Sequence, residues 1–290
     1  MIPLQELIAK TEKRLRAARL HYGHGSDNPR DEAAFLVLRG LGLPFDTDLG
    51  QAVDPQGLEK LVKKRIEERI PVAYLLNEAW LSGLPFYVDR RVIIPRSHIA
   101  ELLAAGFEPW RHGPLRRILD LCTGSGCLAI LAARAFPLAL IDAADLSAAA
   151  LAVARRNVAR HKLEKRIRLA KSDLFASLGE KRYDLILSNP PYVTSKAMRR
   201  LPAEYRHEPG LALAAGKDGL DVVARILAEA RQHLARNGLL VCEVGEHRKA
   251  VERAFPRLPF AWPQNEVFIL EAASTAAASR SSPTRRAASR

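Results

Sequence analysis

Cysteine is scarce in this chain of 290 residues, which contains only Cys122, Cys127 and Cys242. Three cysteines at these spacings exclude a disulfide framework and a cysteine-ligated zinc clip, so we expect no metal site. So few cysteines are typical of a protein that folds in a reducing compartment. We therefore expect a cytoplasmic protein.

Long apolar runs are also missing, because no segment approaches the about 18 uncharged apolar residues that a membrane span requires. The first 20 residues hold seven charged side chains, which is unlike a secretory signal peptide. The overall composition, 48% hydrophobic and 27% charged, excludes a disordered or collagen-like chain. The sequence predicts a packed globular protein without a membrane span.

Acidic residues are also relatively few, because the chain has 32 Asp and Glu residues against 45 Lys and Arg residues, a net charge of +13. Residues 1–80 hold 12 charges of each sign and are neutral, so the whole surplus belongs to 81–290. A surplus on one segment favours an anionic partner such as RNA or an acidic protein surface. A general solubility surplus explains it equally well, so charge alone assigns no chemistry.

Periodicity divides the chain into four segments. Residues 1–77 predict a small helical domain, and 78–96 predict a β-hairpin linker with strands over 81–88 and 91–94. Residues 97–272 alternate strand and helix, which predicts an α/β fold with a mostly parallel sheet covered on both faces. There, Asn237-Gly238 is expected to end a helix, and 266–270 to form an antiparallel edge strand. Residues 273–290, rich in Ala, Ser and Arg, predict a disordered tail.

A glycine loop, Asp120-Leu-Cys-Thr-Gly-Ser-Gly126, follows the first strand of the predicted sheet. Ligands of open parallel sheets bind beyond the carboxyl ends of the strands, where glycine lets the backbone approach them. The spacing differs from G-x-G-x-x-G, and an acid such as Asp120 would repel a pyrophosphate but accept hydrogen bonds from a cationic ligand. S-adenosylmethionine fits this preference because it carries a sulfonium and an ammonium and no phosphate.

Two further acids follow the next strands of the predicted sheet. Asp145 is placed to accept hydrogen bonds from ribose hydroxyls, and we prefer it to Asp142 because it lies nearer the strand exit. Asp173 is placed to accept from an adenine amino group. Each acid alone is more often a cap or a surface group, but three acids at three successive strand ends favour a ligand site.

The fourth strand ends in Ser-Asn189-Pro190-Pro191-Tyr192. The prolines have no N–H to donate, so their carbonyls are held in a rigid turn outside the sheet. The Asn189 oxygen and the Pro190 carbonyl can accept the two N–H groups of a primary amide or an aromatic amine, while Tyr192 offers a flat face. Such a turn would orient a nitrogen for methyl transfer, although a Pro-Pro turn after a strand also occurs without function.

The loop 120–127 together with Asn-Pro-Pro-Tyr resembles the HemK-type protein-(glutamine-N5) methyltransferases, a class I S-adenosylmethionine family. Within that family the chain is most similar to the PrmB branch, which methylates a glutamine of ribosomal protein L3 of the large (50S) subunit before or during assembly. The branch motifs are 92–97, which includes Arg96, Cys122 in place of the general glycine, 201–209 and 216–221. The chain differs in a shorter segment between Phe260 and the last strand.

The resemblance implies a Rossmann-like, mostly parallel seven-stranded sheet and a helical domain over 1–77 that recognises the substrate. It also implies that Asn189, Pro190, Pro191 and Tyr192 hold the glutamine amide, and that Arg96 pins the hairpin over the site. The residues expected to bind S-adenosylmethionine are Asp120, Cys122, Thr123, Gly124, Ser125, Gly126, Asp145, Asp173, Leu174 and Asn189.

Three alternatives stay open: a release-factor glutamine methyltransferase, an adenine-N6 nucleic-acid methyltransferase, and a non-enzymatic RNA-binding assembly factor on the same fold. Two basic clusters bear on the last two and suggest a contact with ribosomal RNA, although a solvated charged face is an equal explanation. The larger cluster lies over 155–171, and the smaller one follows the Asn-Pro-Pro-Tyr turn and consists of Lys196, Arg199, Arg200 and Arg206.

Overall fold

A computed structural model describes residues 1–272, so the tail predicted over 273–290 lies outside the described residues. The first part of the chain is helical. Asn28 starts the second helix because its side chain accepts the Asp31 N–H at 3.0 Å, with Pro29 in the first helical position. The elements of this part are β1 Ile2–Pro3, α1 Leu4–Ala17, α2 Pro29–Gly40, β2 Ala52–Val53, α3 Leu58–Glu67 and α4 Val72–Leu76.

The hairpin that follows is shorter than the sequence predicts and lies earlier in the chain, so the predicted single strand over 81–88 is wrong because it contains the turn. It consists of β3 Ala79–Leu81 and β4 Leu84–Phe86, and it turns at Ser82-Gly83, where both φ angles are positive. The predicted second strand over 91–94 is wrong. Its apolar pattern reflects burial without strand pairing, because its backbone bonds to side chains: Tyr74 donates to the Val92 carbonyl at 2.5 Å, and the Ile94 N–H donates to Glu208 at 3.0 Å.

The rest of the described chain builds a seven-stranded sheet in the order β10-β11-β9-β8-β5-β6-β7, so the predicted seven-stranded α/β fold is confirmed. β5 to β9 run parallel, while β10 and β11 are antiparallel. The strands are β5 Arg117–Leu121, β6 Leu140–Asp145, β7 Ile167–Lys171, β8 Tyr183–Ser188, β9 Leu234–Glu243, β10 Ala261–Gln264 and β11 Val267–Glu271. The helices are α5 Ile99–Ala104, α6 Cys127–Ala135, α7 Ala148–Arg160, α8 Ser195–Met198, α9 Asp221–His233 and α10 Arg248–Ala254.

Two details of this sheet differ from the sequence prediction. The last strand is antiparallel as expected, but it is not the edge, because the shortened segment after Phe260 forms β10 and pairs outside it. Asn237-Gly238 does not end α9 and lies instead within β9, where the pairing with β8 shifts register. A Cβ on Gly238 would lie 2.7 Å from the Tyr183 carbonyl oxygen, so the glycine permits close strand approach rather than a helix cap.

The parallel strands bring the chemistry-bearing segments to one edge of the sheet. β5, β6 and β8 are neighbours, so the glycine loop, Asp145 and Asn189 follow adjacent carboxyl ends. Apolar clusters on both faces of the sheet hold these strands in place. Among residues 1–272, no helix has the length and apolarity that a bilayer crossing requires.

Candidate functional site

Asp120, at the end of β5, is fully buried under the glycine loop. Its Oδ2 accepts hydrogen bonds from the Thr123 hydroxyl at 2.5 Å and from the Ala129 N–H at 3.0 Å, which ties the loop to the first turn of α6. Its Oδ1 has no hydrogen-bond partner within the described residues. Burial raises the pKa of this carboxyl to about 7, because the charged form is poorly solvated there.

The loop itself curves through two glycines with positive φ, +55° at Gly124 and +81° at Gly126. The Gly124 N–H donates to Asp145 Oδ2 at 2.9 Å, and Oδ1 of the same carboxylate accepts from the Ser147 N–H at 2.8 Å. The end of β6 and the start of α7 are thereby fixed against the loop. Because a carboxylate oxygen has two lone pairs, Asp145 keeps acceptor capacity toward a ligand.

A cavity of about 260 Å³ opens beside this loop. The structure brings six of the predicted cofactor residues to its wall: Cys122, Gly124, Asp145, Asp173, Leu174 and Asn189. The other four, Asp120, Thr123, Ser125 and Gly126, lie at or below the base of the loop and do not line the cavity. Much of the remaining wall is apolar, with Ile93, Leu146 and Val222 among its residues.

Two arginines at this cavity escaped the sequence analysis. Arg91 lines the cavity, and Arg225 donates to Asp173 with an N···O distance of 2.9 Å, although Asp173 stays about half exposed. An adenine amino group at Asp173 would therefore share that carboxylate with Arg225. Nothing in the sequence indicates this pair, because Arg225 lies on a solvent-facing position of α9, remote in sequence from the loop.

A second cavity, of about 150 Å³, adjoins the first. Asn189, Ile93 and Ala212 line both, so the two cavities meet at the end of β8. The remaining wall of the smaller cavity includes Arg96, Pro190, Tyr192 and Tyr205. Pro191 lies on the other side of the turn and lines the larger cavity.

A hydrogen bond to the backbone of Arg96 holds the Asn189 side chain in one orientation. Its Nδ2 donates to the Arg96 carbonyl at 3.2 Å, and no hydrogen bond within the described residues occupies Oδ1. Asn189 is half-buried, and its amide oxygen is a hydrogen-bond acceptor with two lone pairs. The free oxygen suits the N–H of a substrate amide.

Tyr192 is fixed by close packing. A Cβ on Gly245 would lie 2.8 Å from its ring carbon Cε2, and the hydroxyl lies 3.5 Å from Glu243 Oε1. Glu243 also accepts from the Ser97 hydroxyl at 2.6 Å and from the His98 N–H at 3.1 Å. Burial raises the pKa of Glu243, and burial together with the nearby Glu243 carboxylate raises that of Tyr192. The ring is therefore a rigid, neutral wall.

The two cysteines at the glycine loop have thiols that stay protonated. Desolvation raises the pKa of the Cys122 and Cys127 thiols to about 12, so neither is a thiolate nucleophile at neutral pH. In the described part of the chain, no group of three or more His, Cys, Asp or Glu side chains could hold a metal ion.

The two basic clusters differ in how free their charges are. In the larger one, Arg156 lies over the Tyr87 ring at 3.6 Å, Arg160 is 3.5 Å from Glu78, and Arg166 donates to three backbone carbonyls. Arg166 is thus a structural residue. The smaller cluster at and after α8, by contrast, consists of exposed side chains that stand close in sequence to Leu201 and Tyr205 of the second cavity: Lys196, Arg199, Arg200 and Arg206.

Comparisons with known proteins agree with this architecture. Residues 100–204 match the family model described as "Methyltransferase small domain". The hMettl16 catalytic domain, solved with the MAT2A 3′UTR hairpin 1, aligns with a TM-score of 0.51 and 15% identity over 93% of this chain and 90% of that chain, which shows the shared fold. The domain match and the fold imply a methyl donor of the S-adenosylmethionine type.

Relatives are far more similar in sequence. The ribosomal protein uL3 glutamine methyltransferase of Bordetella pertussis is 53% identical over 89% of this chain and 90% of its own length. The protein of the same name from Burkholderia pseudomallei is 49% identical over 89% of each chain. The resemblance found in the sequence motifs is confirmed by this similarity. The chain is an enzyme of the family of ribosomal protein uL3 glutamine methyltransferases.

Proposed function

We propose that this protein transfers a methyl group from S-adenosylmethionine to the side-chain amide nitrogen (N5) of a glutamine in ribosomal protein L3 (uL3) of the large (50S) subunit. The observation that carries the proposal is the junction of the two cavities at Asn189. A donor in the larger cavity and an amide in the smaller one would meet there. The substrates named for the relatives support the choice of protein.

The larger cavity fits the cofactor in the chemistry of its wall. Gly124 leaves its part of the cavity wall without a side chain, and the apolar wall suits a purine. Asp145 accepts from the ribose hydroxyls, while Asp173 and Leu174 contact the adenine. Cys122 lines the methionine end, while Thr123, Ser125 and the buried Asp120 hold the loop from beneath. When bound, the cofactor supplies an electrophilic methyl group on a sulfonium.

In the smaller cavity, the residues of the chain orient the acceptor. Asn189 Oδ1 and the Pro190 carbonyl accept the two N–H groups of the glutamine amide, and Tyr192 packs against its plane. Pro190 and Pro191 cannot donate a competing N–H. Because an amide needs no prior deprotonation if its proton leaves after transfer, catalysis rests on positioning.

We further propose that residues 1–77 form a domain that recognises the protein substrate, joined by the linker 78–96 to the methyltransferase domain over 97–272. The exposed basic cluster Lys196, Arg199, Arg200 and Arg206 stands close in sequence to residues of the acceptor cavity. It suits a contact with ribosomal RNA in an assembling large subunit. A ribosomal substrate implies a reaction in the cytoplasm.

The direct test is incubation of the purified protein with S-adenosylmethionine and, separately, ribosomal protein L3, a peptide-chain release factor or an adenine-containing RNA. Peptide mass spectrometry would then locate any added methyl group. We expect one methylated glutamine in ribosomal protein L3. Methylation of the release factor alone, of the RNA alone, or of nothing would each refute the assignment.

A further inference from the structure

The segment 201–209, which we name the strap, connects the helical part of the chain to the acceptor cavity. Its residues Leu201 and Tyr205 line that cavity, and Pro209 lines the larger one. Two buried acids, Glu204 and Glu208, stand on the strap. Neither acid has a role in the proposed binding of the cofactor or of the acceptor amide.

Glu208 holds the strongest contacts on the strap. Its carboxylate accepts two hydrogen bonds from the Arg96 guanidinium, at 2.6 and 2.7 Å, and one from the Ile94 N–H at 3.0 Å. Such a bidentate pair fixes direction as well as distance. Although burial opposes ionisation, the hydrogen bonds from Arg96 lower the pKa of Glu208 to about 2, so the pair is fully charged at neutral pH.

Arg96 in turn holds Asn189. The backbone carbonyl of Arg96 accepts the Nδ2 hydrogen bond of Asn189 at 3.2 Å, and its guanidinium also bonds the Ile94 carbonyl at 3.1 Å. Glu208 therefore fixes the segment 94–96 at two points, the backbone N–H of Ile94 and the side chain of Arg96. That backbone decides which way the Asn189 amide faces.

The other end of the strap is anchored in the helical part. Glu204 accepts from the His21 N–H at 3.0 Å and lies 3.4 Å from the Arg65 and Arg69 guanidinium groups. Between the two acids, the Tyr205 ring packs on the His24 ring with centroids 4.4 Å apart. The strap is thus clamped at both ends, by partners more than 110 residues away in sequence.

We infer that Glu208 is a positioning residue for methyl transfer, which acts through Arg96 to keep the Asn189 oxygen turned toward the acceptor amide. The inference rests on the proposed function for the identity of the acceptor, but the orientation of Asn189 is a property of the free protein. It adds to the acceptor site an ion pair with a buried carboxylate, outside the Asn-Pro-Pro-Tyr turn.

The chain offers a matched control in the pair Arg39–Glu78. That pair is also bidentate, at 2.8 and 3.3 Å, and its arginine side chain is 28% exposed, the same fraction as that of Arg96, while its acid is 12% exposed and also contacts Trp80 and Arg160. It also joins the helical part to the linker, yet it touches neither the strap nor Asn189. Glu208→Gln and Glu78→Gln each remove one charge from such a pair and lower the melting temperature.

We expect the two variants to separate in turnover. Glu208→Gln should lower kcat on ribosomal protein L3 by roughly 10- to 100-fold, because a small misplacement of a positioning group is costly, with the Kd for S-adenosylmethionine unchanged. Glu78→Gln should keep kcat. Arg96→Lys keeps the positive charge but loses the bidentate hydrogen bonding to Glu208, so its kcat should fall as in Glu208→Gln. It replaces Glu208→Gln in the test if Glu208→Gln does not fold.

A readout independent of methyl transfer comes from the six asparagines of the chain. In protein labelled with ¹⁵N-asparagine, the side-chain NH₂ signals of Asn189, identified with Asn189→Ala, should shift and exchange faster in Glu208→Gln or Arg96→Lys but not in Glu78→Gln. Unchanged Asn189 signals, or equal losses of kcat in Glu208→Gln and Glu78→Gln, would overturn the inference. A wild-type protein that does not methylate ribosomal protein L3 would overturn the proposed function instead and leave the NMR result standing.

Discussion

The two halves of the site are held by different forces. On the cofactor side, the loop 120–126 is fixed by backbone conformation and by hydrogen bonds from close sequence neighbours, under a buried acid whose pKa is raised to about 7. On the acceptor side, Asn189 depends on Arg96 and Glu208, an ion pair whose acid has its pKa lowered to about 2. The difference teaches that the glycine loop takes its hydrogen bonds to Asp120 and Asp145 from residues within 21 positions, whereas the acceptor geometry depends on Glu208, which lies 112 positions from Arg96.

The largest effect should come from filling the cofactor side. Gly124→Val places a β-branched side chain at φ +55° on the wall of the larger cavity. We expect calorimetry to show a fall in S-adenosylmethionine affinity of roughly 100-fold or more, because the side chain takes ligand space. Gly42→Val is the control, since its φ of +71° imposes similar strain in open space. Equal affinity in both variants would contradict a cofactor site at the loop.

A smaller effect is expected from moving Tyr192 on the acceptor side. In Gly245→Ala the new Cβ meets the tyrosine ring, so the ring must shift. We expect kcat to fall by roughly tenfold with cofactor affinity unchanged, as for other misplaced positioning groups. Gly179→Ala, at φ +65° with nothing within 4 Å, separates backbone strain from the clash. A kcat for Gly245→Ala that equals that of Gly179→Ala would remove Tyr192 from the acceptor site.

The pH dependence of stability should also distinguish the halves. Asp120 has a folded pKa of about 7, above its ordinary 3.8, so the folded state binds more protons between these values and stability falls as pH rises. Unfolding of the wild type relative to Asp120→Asn should become easier by about 1 kcal/mol per pH unit from pH 5 to 7 and level off above. Glu208, whose pKa is lowered to about 2 against the opposing effect of burial, mainly by Arg96 and also by His24, contributes stability that is present above about pH 4.5 and is lost progressively as pH falls toward 2, so the difference between the wild type and Glu208→Gln should shrink over that range. A pH-independent difference for Asp120→Asn would show that this acid is ionised in the folded protein.

The smallest effect should come from the exposed charges of the smaller basic cluster. Arg199→Glu combined with Arg200→Glu should reduce methylation of assembling large-subunit particles by roughly threefold at low salt, because exposed charges act through screened attraction. Free ribosomal protein L3 should be methylated at the wild-type rate. The same loss on both substrates would count against an RNA contact.

Sequence alone predicts the local part of this structure well. The strand β5, the loop after it and the Asn-Pro-Pro-Tyr exit of β8 follow from apolar runs ended by Gly, Asp or Pro, since those signals act between neighbours. It failed where backbone groups bond to distant side chains. The 91–94 segment was predicted as a strand because nothing in its pattern shows that Tyr74 and Glu208 take its hydrogen bonds.

The same limit applies to the site residues. Cys122, Gly124, Asp145 and Asn189 share a cavity wall because the carboxyl ends of parallel strands lie at one edge of the sheet, which alternating strand and helix predicts. The ion pairs Arg225–Asp173 and Arg96–Glu208 were missed. Their partners lie far apart in sequence, where neither helix nor strand periodicity indicates a contact. Only the packed fold brings such charges together.

The most direct test measures both the cofactor affinity and the rate of methyl transfer of Asn189→Ala, because Asn189 stands where the two cavities meet. Because Asn189 stands only at the edge of the larger cavity, our account predicts a small rise in the Kd for S-adenosylmethionine, about fivefold or less by calorimetry. It predicts a rate of methyl transfer to ribosomal protein L3 that is lower by roughly 100-fold. Methyl transfer at the wild-type rate, or loss of cofactor binding equal to the loss of rate, would contradict it.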